Sequence, residues 1–300
     1  MDNNWKEKYW EYMSASDYEA AIPLKLENFP NSFFKYRSLT KLTLDCLFEN
    51  YIWAAEISSL NDPFECSIQF DNDECLRLFY SSEEFKASLA KITGHKLSKQ
   101  EIHVLTTAEK PHDEYIKICK QNNIPYSLTS EQQLKKVQSR WEEIINDANK
   151  NLRICSFSLI KNSLLLWSHY SNEHKGICIE YDFLDDDLIR PYLQPIIYRN
   201  KVHKMLIFEE FNFMQTIVSS LIKSSDWEYE QEWRLTVFKR KEYLPDKIPA
   251  PKPKAIYLGT RFDLNDAELK AGLNAYAGEN KVPLIRMEKH PNEFKLIPSK

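Results

Sequence analysis

Glycine is scarce in this chain. Gly94, Gly176, Gly259, Gly272 and Gly278 are the only five in 300 residues, and none belongs to a G-x-G-x-x-G or Walker-type loop. That excludes the backbone phosphate grip of a Rossmann dehydrogenase or a P-loop ATPase, both of which need glycine where the main chain approaches phosphate. Paired cysteines are missing too. Cys46, Cys66, Cys75, Cys119, Cys155 and Cys178 are scattered without a C-x-x-C motif, which predicts reduced, mostly buried thiols. His169 and His174 have ligand-like spacing but no neighbours to complete a zinc site, so no metal is expected. No run of about 18 apolar residues predicts a membrane span. The opening "MDNNWKEKYWEYM" has no signal-peptide core, and the expected location is the cytoplasm. A basic excess is also lacking: the net charge of −4 argues against a broadly basic nucleic-acid binder and leaves only a local patch open.

What is present is an ordinary folding composition, 43% hydrophobic and 28% charged, in a chain long enough to bury a sizeable core. Residues 1–30 read as a helix and a Pro-punctuated linker, followed by a single α+β domain over 31–300. Its predicted centre is an antiparallel or mixed sheet flanked by helices. Residues from about 73 to 150 carry apolar stripes at three- and four-residue spacing and read as a helical insertion covering one side of that sheet. "HKMLIFEEFNFMQTIVSSLIKSS" reads as one long helix. "KAIYLGTRF", "NDAELKAGLNAYAGEN" and "VPLIRMEK" predict strand–helix–strand, with Asn265 and Glu268 as a capping box and Gly278 as a C-terminal cap.

"SDWEYEQEWRLTVF", residues 225–238, is aromatic and β-branched enough to be a strand. Same-face neighbours in a strand lie about 6.6–6.8 Å apart. Glu228, Glu230 and Glu232 would then form one carboxylate row ending at Arg234, with Trp227, Tyr229, Trp233 and Leu235 facing the other way. Clustered carboxylates raise one another's pKa and suit acid–base or cation-stabilising work; the same row also fits a solvated strand face.

Three further segments combine polar groups with aromatics. "FFKYRS" places Arg37 and Tyr36 on a strand, where a guanidinium can grip phosphate or pair with a structural carboxylate. "LNDPFE" is turn chemistry through Asn61 and Asp62, with Glu65 able to face a pocket. "CSFSLIKNSLLLWSHYSNEHKG" alternates Ser156 and Ser158 on a strand face and then brings Trp167, His169, Tyr170 and His174. No G-x-S-x-G elbow marks a serine nucleophile.

These four segments, in the chain order "FKYRSL", "LNDPFE", "CSFS…LLLWSHYSNEHKGICIEYD" and "WEYEQEWRL", resemble the bacterial domain-of-unknown-function family 2971, over about residues 33–290 apart from the helical insert. That family name implies no activity. An arginine strand, a Ser-x-Ser strand and a Glu-x-Glu strand are also similar, more distantly, to the arginine–serine–glutamate arrangement of ADP-ribosyltransferases. That resemblance implies NAD as substrate, with Arg37 on its phosphates or ribose and Ser156 or Ser158 at the nicotinamide ribose. Glu232 would sit on the ribose 2′-hydroxyl and stabilise an oxocarbenium-like transition state, Glu230 would activate an acceptor, and Tyr170 or Trp167 would stack on nicotinamide. Implied partners are a small-molecule nucleotide, a protein or nucleic-acid acceptor, and a cognate partner in a toxin or antiphage defence setting. Two other functions fit the residues: a non-catalytic nucleotide-sensing or interaction module, and a Mg²⁺-dependent nuclease using Asp62, Glu65, Glu230 and Glu232.

Overall fold

The computed structural model describes residues 4–126, 128–205, 213–239, 247–262 and 266–299. The protein is α+β, with a large mixed, mostly antiparallel sheet flanked by helices. It divides into two compact units, one of residues 1–65, 151–201 and 220–300, the other of residues 66–150 and 202–219.

Nine strands of the first unit form the sheet: β1 (Phe33–Arg37), β2 (Ala55–Glu56), β3 (Leu152–Ser158), β4 (Ile177–Tyr181), β5 (Leu193–Pro195), β6 (Glu232–Phe238), β7 (Ala255–Leu258), β8 (Leu284–Lys289) and β9 (Leu296–Pro298). Their spatial order is β9-β8-β7-β4-β1-β3-β6-β5, with β2 also paired to β3. Only β7 and β8 run parallel, joined by the helix Ala267–Asn280 as a parallel crossover requires. Alternation along the strands builds two apolar layers. Phe33, Phe157, Trp233 and Leu235 pack with Leu47 and Tyr276 of flanking helices, while Phe34, Tyr36 and Cys178 pack with Leu166 and Trp167.

One irregularity positions everything that follows. β1 and β3 share a single pair, Phe34 with Ser158, and β2 takes up β3 only farther along, with Ala55 opposite Ile154 and Glu56 opposite Arg153. Between those pairings the sheet forks. A carbonyl left unpaired in the fork needs a donor, and Lys35 Nζ supplies it, bonding the Ser156 carbonyl at 2.8 Å.

The second unit is mainly helical. Asn72–Ser81, Glu83–Thr93, Lys99–Thr107 and Pro111–Gln121 pack around Tyr80, Leu105, Tyr115 and Cys119, and Ser98 and Glu101 form a capping box. Ile68–Phe70 pairs in parallel with His203–Met205.

Several local expectations are corrected. The segment read as a linker is a second helix, Tyr18–Glu27, which Asp17 caps and which tolerates Pro23. The long helix over 203–225 is instead a strand, a helix Phe213–Ser219 and a strand Ile222–Ser224; residues 206–212 lie outside the described ones. The helix Ala267–Asn280 is capped by Asp266, which accepts from two backbone amides, while Asn265 lies outside the described residues. Gly278 is interior to that helix, and Lys281 takes the left-handed closing position at φ 54°. None of the six cysteines is in a disulfide.

Candidate functional site

The segment 225–238 is not one strand. Ser225–Glu230 winds into a 3₁₀ turn capped by Ser224, and Gln231 reverses the chain at φ 46° before β6 begins at Glu232. Glu228 therefore leaves the row expected of it. Glu230 and Glu232 are nevertheless reunited, by a residue the sequence reading did not single out. Lys223, on the strand Ile222–Ser224, donates from one Nζ to Glu230 Oε2 at 2.6 Å and to Glu232 Oε2 at 2.9 Å. It lies 5.0 Å from the centre of the Trp227 ring.

A continuous polar chain runs through this point. Asn61 Nδ2 donates to the Tyr170 hydroxyl at 3.0 Å, and that hydroxyl donates to Glu230 Oε1 at 2.7 Å. Beyond Lys223, the Arg234 guanidinium holds Glu232 Oε1 at 2.9–3.0 Å and Glu65 at 2.6 Å. All of these charged groups are buried, so each charge depends on its partners. Burial pushes the Glu232 carboxyl up, but Arg234, Lys223 and a hydrogen bond from Ser156 outweigh it and hold the group at about 2. Burial pulls Lys223 down, and Glu232 and Glu230 raise it above its ordinary value. Burial, then the Glu230 carboxylate, pushes the Tyr170 phenol up.

This network forms one wall of a cleft of about 430 Å³ at the fork in the sheet, within the usual range for small-molecule sites. Pairing register places Glu232, Arg234, Ser156, Ser158 and Phe34 on one face of the sheet. Strand alternation adds Tyr36 to that face and puts Lys35 and Arg37 on the other. The cleft is open to both faces because β1 and β3 have parted. Arg37, Lys35, Ser156, Ser158, Tyr36, Asn61, Glu65, Tyr170, Glu230 and Glu232 all line it. Arg37 is half-buried, and its side chain makes no hydrogen bond or ion pair among the described residues. Lys35 has the Ser156 carbonyl as its partner, and burial lowers its pKa.

Other expected residues have structural duties. Trp167 is fully buried, stands edge-on to Tyr36 and donates its indole N–H to the Lys161 carbonyl, so it cannot stack on a ligand. His169 is exposed and lies off the cleft wall. Asp62 is buried in its turn, accepting from the Phe64 amide at 2.8 Å, and does not line the cleft. Ser158 donates to the Glu230 carbonyl at 2.6 Å and accepts from the Ile160 amide at 3.1 Å; its hydroxyl fixes the turn that presents Glu230. The Tyr36 hydroxyl is spent on the Ile160 carbonyl.

Residues 166–235 match the family model described as "Protein of unknown function (DUF2971)". This supports the kinship expected from the motifs, and the matched stretch holds Trp167, Tyr170, Lys223, Glu230 and Glu232. Comparison with curated proteins and with solved structures finds no match. Among the described residues no helix is long and apolar enough to cross a membrane.

Proposed function

We infer that the cleft binds NAD and breaks its nicotinamide–ribose bond, passing ADP-ribose to an acceptor or to water, as an ADP-ribosyltransferase-like enzyme or NAD glycohydrolase. One observation carries this reading. A guanidinium without an ion pair among the described residues, Arg37, lines the same cleft as an ionised carboxylate, Glu232, and the serines Ser156 and Ser158. Arg37 suits the diphosphate, which a planar two-pronged donor grips best. When the C–N bond breaks, its electron pair leaves with nicotinamide and positive charge develops on the ribose. A carboxylate already fixed and charged stabilises that change without reorganising. The acceptor oxygen then bonds to the anomeric carbon and gives up its proton, with Glu230, which lines the same cleft, as the candidate base. Depletion of NAD would suit a toxin or antiphage effector, with a cognate partner restraining it.

A second reading rests on a specific feature: both oxygens of Glu232 are already committed, to Arg234 and Lys223. That favours a nucleotide sensor without turnover. The nuclease reading fits less well, since Asp62 is used in a turn and Glu65, Glu230 and Glu232 are held by cations.

Incubation with NAD, followed by chromatography for free nicotinamide, tests the enzyme reading. Release that Glu232→Gln abolishes supports it. Thermal stabilisation by NAD without release supports the sensor.

A further inference from the structure

A second cleft, of about 500 Å³, opens where the β8–β9 turn meets the loop after β7. Two close approaches build it. The chain runs left-handed through three successive residues, Asn172, Glu173 and His174, at φ 47°, 54° and 70°. That turn is pinned by Arg261, whose backbone N–H donates to the His174 carbonyl at 3.0 Å. Gly259 makes the approach possible, since a Cβ there would lie 2.0 Å from the same carbonyl oxygen. Left-handed backbone in non-glycine residues costs energy and persists where the surroundings impose it. Arg286 braces the other side by donating to the carbonyls of Thr260 and Phe262.

The lining of this cleft is cationic in a chain whose net charge is −4. Arg261, Lys289 and Lys295 line it with His174 and His290, against the single carboxylate of Glu293. Glu293 is taken by Lys295 at 2.7 Å, whereas exposed Arg261 and Lys289 make no ion pair among the described residues. His174 Nδ1 is buried without a hydrogen-bond partner among the described residues. Phe294, on the same rim, is fully exposed, which solvent alone disfavours. Unpaired cations beside a projecting aromatic ring are the combination that holds a phosphate backbone while a base stacks.

We propose that this second cleft binds single-stranded nucleic acid, with Arg261 and Lys289 on backbone phosphates and Phe294 stacked against a base. The helix Leu164–Tyr170 joins the two sites, since Leu164 lines the second cleft and Leu166 and Tyr170 line the first. A strand held there would lie within reach of the first cleft, but its binding does not depend on the NAD reading.

The test is fluorescence anisotropy of the full-length protein with a labelled single-stranded oligonucleotide, without NAD, over a salt series. Arg261→Gln with Lys289→Gln should weaken binding at least tenfold and lower the slope of log K against log salt by about 0.7 per cation removed. Phe294→Ala should weaken it about tenfold with the slope unchanged. Arg37→Gln, in the first cleft, should leave it as in the wild type. No binding at low salt, equal affinity in all variants, or competition by inorganic phosphate or a mononucleotide as effective as by unlabelled oligonucleotide would each overturn the proposal.

Discussion

Glu230 and Glu232 accept hydrogen bonds from the same ammonium group, that of Lys223. Two buried carboxylates this close are tolerated only because that cation lies between them, with Arg234 beyond. The arrangement makes Lys223 a positioning residue for both acids, and the sheet fork beside it makes the pair available to a ligand.

Replacing Lys223 with Met should therefore leave the buried Glu230 without a cation and Glu232 with Arg234 alone. The expected cost is about 3–5 kcal/mol, read as a large fall in the denaturation midpoint. A loss below about 1 kcal/mol would mean that water reaches the carboxylates.

The depressed pKa of Glu232 has a defined consequence for acid stability. Its carboxyl titrates near 4.5 when unfolded and about 2 when folded. The stability it contributes is fully present above about pH 4.5 and is lost as pH falls toward 2. The loss is on the order of 3 kcal/mol. Denaturation of Glu232→Gln across that range should show a flatter decline than the wild type. Parallel declines would contradict the pairing.

Close backbone approach makes Gly176 irreplaceable. A Cβ there would stand 2.3 Å from the Arg37 carbonyl oxygen and 2.9 Å from that of Ser171. Gly176→Ala should cost about 1–3 kcal/mol or more and disturb the strand that carries Arg37. Gly278→Ala, with open space around it in a helix, should instead stabilise by about 0.5–1 kcal/mol. Thermal melts of the two variants should move in opposite directions.

Neighbouring aromatics separate packing from binding. Trp167→Ala should lose about 3–5 kcal/mol from the core. His169→Ala should change neither stability nor nucleotide affinity, as calorimetry and ligand-induced melting shifts would show. A loss of affinity in His169→Ala would place the ligand outside the cleft described.

The sheet was legible where residue type and period agreed, as in "RICSFS", "GICIEY" and "EWRLTVF". It was illegible where a single backbone reversal decided the outcome. Nothing in "SDWEYEQ" advertises a left-handed Gln231, so period-two spacing extended the strand backward by seven residues and put Glu228 into the row. The cap at Asp266 was missed for Asn265 by one position, since Asn and Asp both suit an N-cap. Lys223 was hidden because "TIVSSLIKSS" carries an apolar stripe that fits a helix. A lone lysine after an apolar run, seven and nine residues before the two acids, was the available signal. Lys35 went unnoticed because its role arises from a fork that only long-range pairing creates. Arg37, Ser156, Glu230 and Glu232 were named from local chemistry, and the fold brings them to one cleft from segments far apart in sequence.

The most direct test compares nicotinamide release by wild-type protein and Arg37→Gln. Because Arg37 makes no ion pair among the described residues, the variant should melt within about 1–2 °C of the wild type. The account predicts that the wild type releases nicotinamide from NAD and that Arg37→Gln raises KM at least tenfold, the loss expected for one charge-assisted phosphate contact. Absence of release by the wild type, or identical kinetics in the variant, would contradict it.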